Sequence, residues 1–341
     1  MLEVIAAEEH RLHDPQFFLV RGQIRPSAEQ PERARILEHA VRDLGLSVRV
    51  PNDWGLGPIA SVHSPEYLDF LQHAWSQWQS LPGAGAEVIP NIHPQRRPAS
   101  YPRSIVGRAG WHQADTACPM GPGTWRGVLA AAQVALEAAH SLASGAYQRS
   151  YALCRPPGHH AFSDMAGGFC FLNNTAIATE QLLKLFPRAA ILYVDVHHGN
   201  GTQSIFYRRS DVFTVSVHAD PHDFYPFFWG HAQERGEDAG EGFNFNIPLP
   251  LGTDDSPWLA AIDRALDRIA LYAPDVLVVA LGLDAARSDP LQGMRISPEG
   301  FAALGERLRG WQKPLLLVQE GGYLGPELAS NLKAFLSALG D

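Results

Sequence analysis

Asp195, His197 and Asp284 can ligate a divalent metal ion, His159 and His160 can carry protons near neutral pH, and Tyr323 can donate a hydrogen bond to a developing oxyanion. The first two lie in Ile191-Leu192-Tyr193-Val194-Asp195-Val196-His197-His198-Gly199-Asn200-Gly201. In extended backbone, side chains at i and i+2 point the same way, so both would leave the carboxyl end of a strand together. Asp284 closes a second apolar run that starts at Asp275. Two carboxylates and one imidazole leave coordination positions open, as a catalytic site does. Zinc is the default ion, and Fe(II) or Co(II) also suits this oxygen-rich set. A lone Asp-x-His at a strand end is more often a hydrogen-bonded turn, and the second carboxylate shifts that balance towards a metal site.

Two further motifs shift it again. In Cys154-Arg155-Pro156-Pro157-Gly158-His159-His160 a stiff turn presents adjacent imidazoles, one suited as general base and later acid, the other as its tuner. In Gln319-Glu320-Gly321-Gly322-Tyr323 the paired glycines permit positive φ and close approach, which can swing the phenol over the site.

These residues need a scaffold that gathers strand ends. Short apolar runs at 151–154, 190–196, 212–217, 275–283 and 314–319 read as strands. Helical patterns at 31–44, from the Ser64-Pro65-Glu66 cap to Trp78, and at 124–142 before Gly145 alternate with them. The expected fold is α/β, a mainly parallel open sheet with helices on both faces, in one domain spanning 1–341. Ligands in such sheets gather outside the carboxyl ends of the strands. The stretch 80–110 breaks the rhythm: it shows no period and holds several prolines, Arg96, Arg97, Arg103 and Arg108, and the apolar Val88, Ile89, Ile92, Tyr101 and Ile105. An insertion of this kind is expected to cover a neighbour.

The formal charge of −9 argues against a nucleic-acid binder and suits a neutral or cationic ligand. Three cysteines without a C-x-x-C pair argue against a disulfide framework and point to a reducing compartment. With no basic leader and no apolar stretch of about 18 residues, the expectation is a cytoplasmic protein that does not enter the membrane.

Taken together, R-P-P-G-H-H, D-V-H-H-G-N-G-T-Q, G-L-D and E-G-G-Y, in this order, resemble the histone deacetylase and acetylpolyamine amidohydrolase superfamily over nearly the whole chain. The resemblance implies an arginase/deacetylase-like fold and hydrolysis of an acetylated amine by metal-activated water. By position, Asp195, His197 and Asp284 resemble the zinc ligands, His159 and His160 the tandem histidines, and Tyr323 the carbonyl-polarising tyrosine. Gly168 and Phe169, with Tyr225 opposite, look like walls of an acyl-lysine tunnel. Asp115 looks like the rim carboxylate that orients the substrate, and Arg33 like the arginine of an inner channel. A structural potassium ion is a further implication.

The polyamine branch is the nearer likeness, through His218-Ala219-Asp220-Pro221, Phe224-Tyr225-Pro226, Gly230, Glu234-Arg235-Gly236 and the insertion after Trp78. In that branch the insertion serves dimerisation and narrows the entrance, which implies a homodimer and a small acetylated amine as substrate. Glu234, Glu237, Asp238 and Glu241 would add attraction for a cation. The chain departs from the pattern at Tyr193, where deacetylases commonly place an Asp, and in Gln16-Phe17-Phe18, which lacks the Glu that some polyamine enzymes use for the distal amine. Arginases need further carboxylates where this chain has Gly199 and Ala286. The alternatives are a lysine deacylase acting on proteins or peptides and, from another class, a catalytically silent ligand-binding module.

Overall fold

Runs of Val, Leu, Ile and Ala form the strands β1 (Leu2–Ile5), β4 (Val48–Arg49), β5 (Arg149–Ala152), β6 (Ala189–Tyr193), β7 (Val212–Ala219), β8 (Asn244–Leu249), β9 (Val276–Leu281) and β10 (Leu315–Gln319). A separate hairpin pairs β2 (Phe17–Val20) with β3 (Gln23–Pro26). The computed structural model describes residues 2–94 and 100–340. The eight strands bond in the order β4-β1-β5-β10-β9-β6-β7-β8, and every neighbouring pair is parallel. The four central strands β5, β10, β9 and β6 are therefore contiguous, and the chemical motifs follow these four strands.

Successive side chains pack against different layers. Ile191, Tyr193, Val278 and Ala280 meet α3 (Pro65–Gln79), α5 (Thr124–Ala143) and α6 (Asn174–Leu182). Ala190, Leu192, Val279 and Leu281 meet α1 (Glu32–Asp43), α8 (Asp255–Tyr272), α9 (Pro298–Arg309) and α10 (Leu328–Leu339). Covered on both faces, β6, β9 and β10 are buried throughout, which explains their unbroken apolar sequence. Each fully buried Val or Leu contributes about 1.5–3 kcal/mol, enough to fix the strand ends rigidly. The Ser64 hydroxyl accepts the Tyr67 N–H to start α3, as its position before Pro65 foretells.

The five strands and three helices expected from sequence are present, with ends shifted by a few residues. The short β1 and β4, the strand β8 and the β2–β3 hairpin were not expected. The 80–110 stretch needs correction. It contains the start of α4 (Ile105–His112), whose Ser104 cap accepts the Val106 N–H. Val88 bridges to Met120, and Val88 and Ile105 are buried in this chain's own core, so no second subunit is needed to cover them. Ile89 is half-buried, whereas Ile92 and Tyr101 remain exposed. Arg96, Arg97 and Pro98 lie outside the described residues. Among the described residues no helix is long and apolar enough to cross a membrane.

Candidate metal and active site

Asp195 and His197 do meet, but through a turn and not through the strand pleat. β6 ends at Tyr193, the chain bends from Asp195 to His197, and the His197 N–H donates to Asp195 Oδ1 at 2.9 Å. The imidazole Nδ1 then lies 3.1 Å from Asp195 Oδ1 and 3.1 Å from Asp284 Oδ2. Asp284 arrives from the turn after β9, and its Oδ1 accepts the Val196 N–H at 3.0 Å. Burial, then the charge of Asp195, holds the Asp284 carboxyl up at about 6. Burial would also raise Asp195, but His159 and His197 hold it well below the usual range. Although burial opposes it, bonding to Asp195 and Asp284 pushes His197 up to about 10. This field demands a positive charge. The three donor atoms lie within 4.8 Å of one another, and the O, O, N set suits a divalent ion.

Close backbone approach protects this arrangement. Gly321 donates its N–H to Asp195 Oδ2 at 2.8 Å, and a Cβ there would fall 2.0 Å from Asp284 Oδ2. No larger residue fits without displacing a ligand.

The tandem histidines follow β5. His160 Nδ1 is 2.6 Å from Asn200 Oδ1. An amide oxygen only accepts, so Nδ1 carries the hydrogen and Nε2 keeps its lone pair. Burial first, then the neighbouring His159 and His197, hold His160 well below its ordinary value. Burial likewise takes His159 down to about 4. His159 Nε2 lies 3.9 Å from Asp195 Oδ1, while its buried Nδ1 has no hydrogen-bond partner among the described residues. Tyr193 places its ring nearly parallel to that of His159, with centres 6.2 Å apart. Both imidazoles are thus neutral near pH 7, and His160 has the acceptor nitrogen that a general base requires.

Tyr323 is held by its backbone. Its N–H donates to Asp289 Oδ2 at 2.8 Å. Arg33, buried on α1, donates from Nε to the Gly322 carbonyl at 2.5 Å and from Nη2 to the Glu320 carbonyl at 2.7 Å, with its Cζ 4.6 Å from the centre of the Tyr323 ring. The Glu320 carboxylate accepts the N–H groups of Gly158 at 2.7 Å and His159 at 3.1 Å, and the Thr175 hydroxyl at 2.6 Å. Glu320 therefore ties the histidine turn to the tyrosine loop. His159, Cys170 and Glu320 also bring possible ligand atoms within 4.8 Å, but these three donors already occupy the Glu320 oxygens, so we assign no ion there. Glu320→Ala removes both oxygens and leaves the buried Gly158 and His159 N–H groups without their acceptor. It is expected to cost about 1–3 kcal/mol in urea unfolding and to lower kcat with metal content unchanged. Unaltered stability and turnover would remove Glu320 from this role.

A cavity of about 350 Å³ leads to these groups, lined by His160, His197 and Tyr323 and by Gly168, Phe169, Tyr225 and Asp115. Gly168 has φ +52°, and a Cβ there would fall 2.5 Å from His160 Cδ2. Asp115 Oδ2 accepts the Gly168 N–H at 3.0 Å and the Tyr225 hydroxyl at 2.8 Å, while Oδ1 accepts the Ala117 N–H at 2.8 Å. Of the expected substrate-contacting residues only Arg33 is absent from the lining, and His159, Asp195 and Asp284 also lie behind it. Arg33 acts on the loop behind. Phe18, Leu19, Val20 and Arg21 of the hairpin, with Phe227 and Leu291, complete the wall.

Sequence reading gave no role to Asn200, Glu320, Asp289 or the hairpin. The first two sit inside quoted motifs and were open to recognition, whereas nothing local marks Asp289 or Phe18. Three of the four acids expected to draw a cation are otherwise engaged. Glu234 accepts from Gly230 at 2.8 Å and Gln203 at 2.6 Å, Glu237 and Asp238 pair with Arg208, and none of the four lines the cavity.

Residues 27–339 match the histone deacetylase domain. Acetylpolyamine amidohydrolase 1 of Pseudomonas aeruginosa is 45% identical over 96% of this chain and 95% of its own. That of Mycoplana ramosa is 39% identical over 99% of both chains. The solved structure of acetylpolyamine aminohydrolase from Burkholderia pseudomallei superposes with a TM-score of 0.95 at 41% identity, covering 99% of this chain and 98% of that one. The HDA15 HD domain does so at 0.81 and 26% identity, covering 99% and 91%. Because the match in sequence and in three dimensions extends almost from end to end, the chain belongs to the histone deacetylase family and is an amidohydrolase with its α/β fold.

Proposed function

We propose that the chain removes acetyl groups from small linear amines, of the kind its acetylpolyamine amidohydrolase relatives are named for. The observation that carries this is the cavity of about 350 Å³ that Phe169 and Tyr225 line together with His160, His197 and Tyr323. Asp195, His197 and Asp284 would hold the metal ion, with zinc the first choice. When bound, that ion supplies Lewis acidity to the amide carbonyl and to the attacking water. His160 accepts the water's proton at Nε2, and Asn200 fixes the tautomer that makes this possible. The Tyr323 hydroxyl donates to the carbonyl oxygen as charge builds there. The protonated imidazole then delivers its proton to the departing nitrogen, giving acetate and a free amine.

The walls orient the chain that carries the amide. Asp115 braces both by holding the Gly168 N–H and the Tyr225 hydroxyl, and its carboxylate can also accept from the substrate N–H. The test is hydrolysis by metal-loaded protein of a small acetylated amine against an acetyl-lysine peptide. Preference for the peptide would favour the lysine-deacylase reading, and no turnover of either would favour a silent binding module.

The same reading includes a homodimer formed through the insertion, supported by the exposure of Ile92 at 60% and Tyr101 at 42%. Ile92→Glu is expected to shift sedimentation from dimer to monomer. A wild-type protein that sediments as a monomer at micromolar concentration would end this assignment.

A further inference from the structure

Tyr323 follows a stretch of backbone that glycine leaves loose. Gly322 has φ of +112°, a conformation open to glycine, and a Cβ there would fall 2.7 Å from Leu283 Cβ. The phenol ring packs edge-on against Phe169, with centres 5.5 Å apart, and meets the Arg33 guanidinium 4.6 Å from its centre. Both are contacts to the ring, and neither holds the hydroxyl. Its height over the site is set from the backbone, where the Tyr323 N–H donates to Asp289 Oδ2 at 2.8 Å.

Asp289 reaches that N–H from the loop after β9, where it is 5% exposed. Its own N–H donates to the Ala286 carbonyl at 3.1 Å, and its carbonyl accepts the Gln292 N–H at 3.2 Å, so the carboxylate projects from a turn closed on both sides. The second oxygen, Oδ1, accepts the Leu291 N–H at 2.9 Å. Leu291 lines the cavity, as Tyr323 does. One buried carboxylate thus bonds the backbone of a wall residue and the backbone of the oxyanion donor. The two loops have other ties: the Leu283 N–H donates to the Gly321 carbonyl at 3.1 Å, Arg287 pairs with Glu327 at 2.6 Å, and a Cβ on Gly325 would fall 2.8 Å from the Ser288 carbonyl oxygen. None of these involves Leu291, so removing the Asp289 carboxylate loosens that joint while the loops stay together.

We propose that Asp289 is a positioning residue for the reaction: it locks Tyr323 to the Leu291 segment of the wall, so that contacts between the wall and the substrate's chain are expressed in turnover as well as in binding. The proposal rests on the deacetylase reading above. Contact with a non-reacting part of a substrate raises turnover only when it is converted into better placement at the reacting centre. A misplacement of about 1 Å there costs up to about 10²-fold. The Tyr323 hydroxyl is the group whose placement Asp289 controls. A chain long enough to press on Leu291 steadies that hydroxyl through the shared carboxylate, whereas a short one leaves it free.

Singly acetylated diamines with two to five methylenes, hydrolysed by metal-loaded protein, test this. In the wild type kcat should rise with chain length. In Asp289→Ala it should fall by about 10- to 100-fold on the longest compound and lose its dependence on length, while KM still falls as the chain grows and metal content is unchanged. Placed in Tyr323→Phe, the same substitution should cost less than about threefold in kcat, because the donor it positions is already gone. A residue needed only for folding would lower kcat by the same factor with or without the hydroxyl. Should Asp289→Ala fail to fold, Asp289→Asn keeps the volume and one acceptor oxygen and takes its place in the same comparison. Equal losses in the two backgrounds, or a length dependence of kcat that is absent from the wild type or survives in the Asp289 variant, would overturn the proposal and leave the deacetylase reading standing. If the wild type cleaves an acetyl-lysine peptide and none of these amines, the small-amine reading falls, and the two-background comparison on the peptide decides the role of Asp289 alone.

Discussion

Asp284→Ala is expected to release the metal and abolish hydrolysis together. Changing a residue that merely supports a metal ligand already costs about 10- to 100-fold in affinity, and Asp284 is assigned here as a ligand itself, one of three, so the loss should exceed ~10²-fold. The same carboxylate accepts the Val196 N–H at 3.0 Å. Asp284→Asn is therefore the sharper variant, because an amide oxygen can keep that bond while losing the charge. Its apo form should be no less stable than the wild type, since a carboxylate that burial and the Asp195 charge push up to about 6 is itself under repulsion. Metal analysis after dialysis and turnover on any accepted amide read both effects. Stoichiometric metal with ordinary turnover in Asp284→Ala would refute the ligand assignment.

What the sequence disclosed here, and what it withheld, follows from how far apart the causes lie. Asp195, His197 and Asp284 were legible because each follows an apolar run, and parallel strands put their carboxyl ends on one edge. The reason first assigned to Asp195 and His197, a shared strand face, was nonetheless wrong: the bend after Tyr193 brings them together, and an Asp side chain accepting the His197 N–H makes that bend. Spacing alone does not distinguish a pleat from a turn of this kind. The insertion was misread for a related reason. Glycine and proline punctuation hid a helix as short as α4, and the cover for Val88 and Ile105 comes from α3, α5 and Met120, which are distant in sequence.

The supporting residues were hidden most. Glu320 matters because its carboxylate reaches Gly158 and His159 while its carbonyl meets Arg33. Those bonds span separations of more than a hundred residues, and no local pattern signals them. The hairpin is a similar case. Gln16-Phe17-Phe18 carried only a missing Glu in the sequence, and the fold then sets Phe18 beside Phe169 in the cavity wall. Motifs therefore identify the reacting groups, while selectivity depends on segments without motifs.

The second large effect concerns the residues that move the proton and bear the charge. His160→Ala removes the acceptor nitrogen that Asn200 orients, and turnover is expected to fall by about 10²–10⁴ with metal content retained. Tyr323→Phe keeps the ring against Phe169 and Arg33 but deletes the donor, with an expected loss of about 10²–10³ in kcat. If both act on one transition state through different protons, the double variant should lose less than the product of the single losses, because residues that work as a unit are not additive. Asn200→Asp supplies the complementary measurement. A carboxylate at 2.6 Å from His160 Nδ1 would stabilise the imidazolium, so the acid-side limb of the kcat/KM profile, which reports this group in the free enzyme, should move to higher pH. The sign is fixed by the pair: a raised histidine pKa means the base is lost to protonation at a higher pH. A limb that stays in place in Asn200→Asp, together with near wild-type turnover in His160→Ala, would transfer the general-base role to His159.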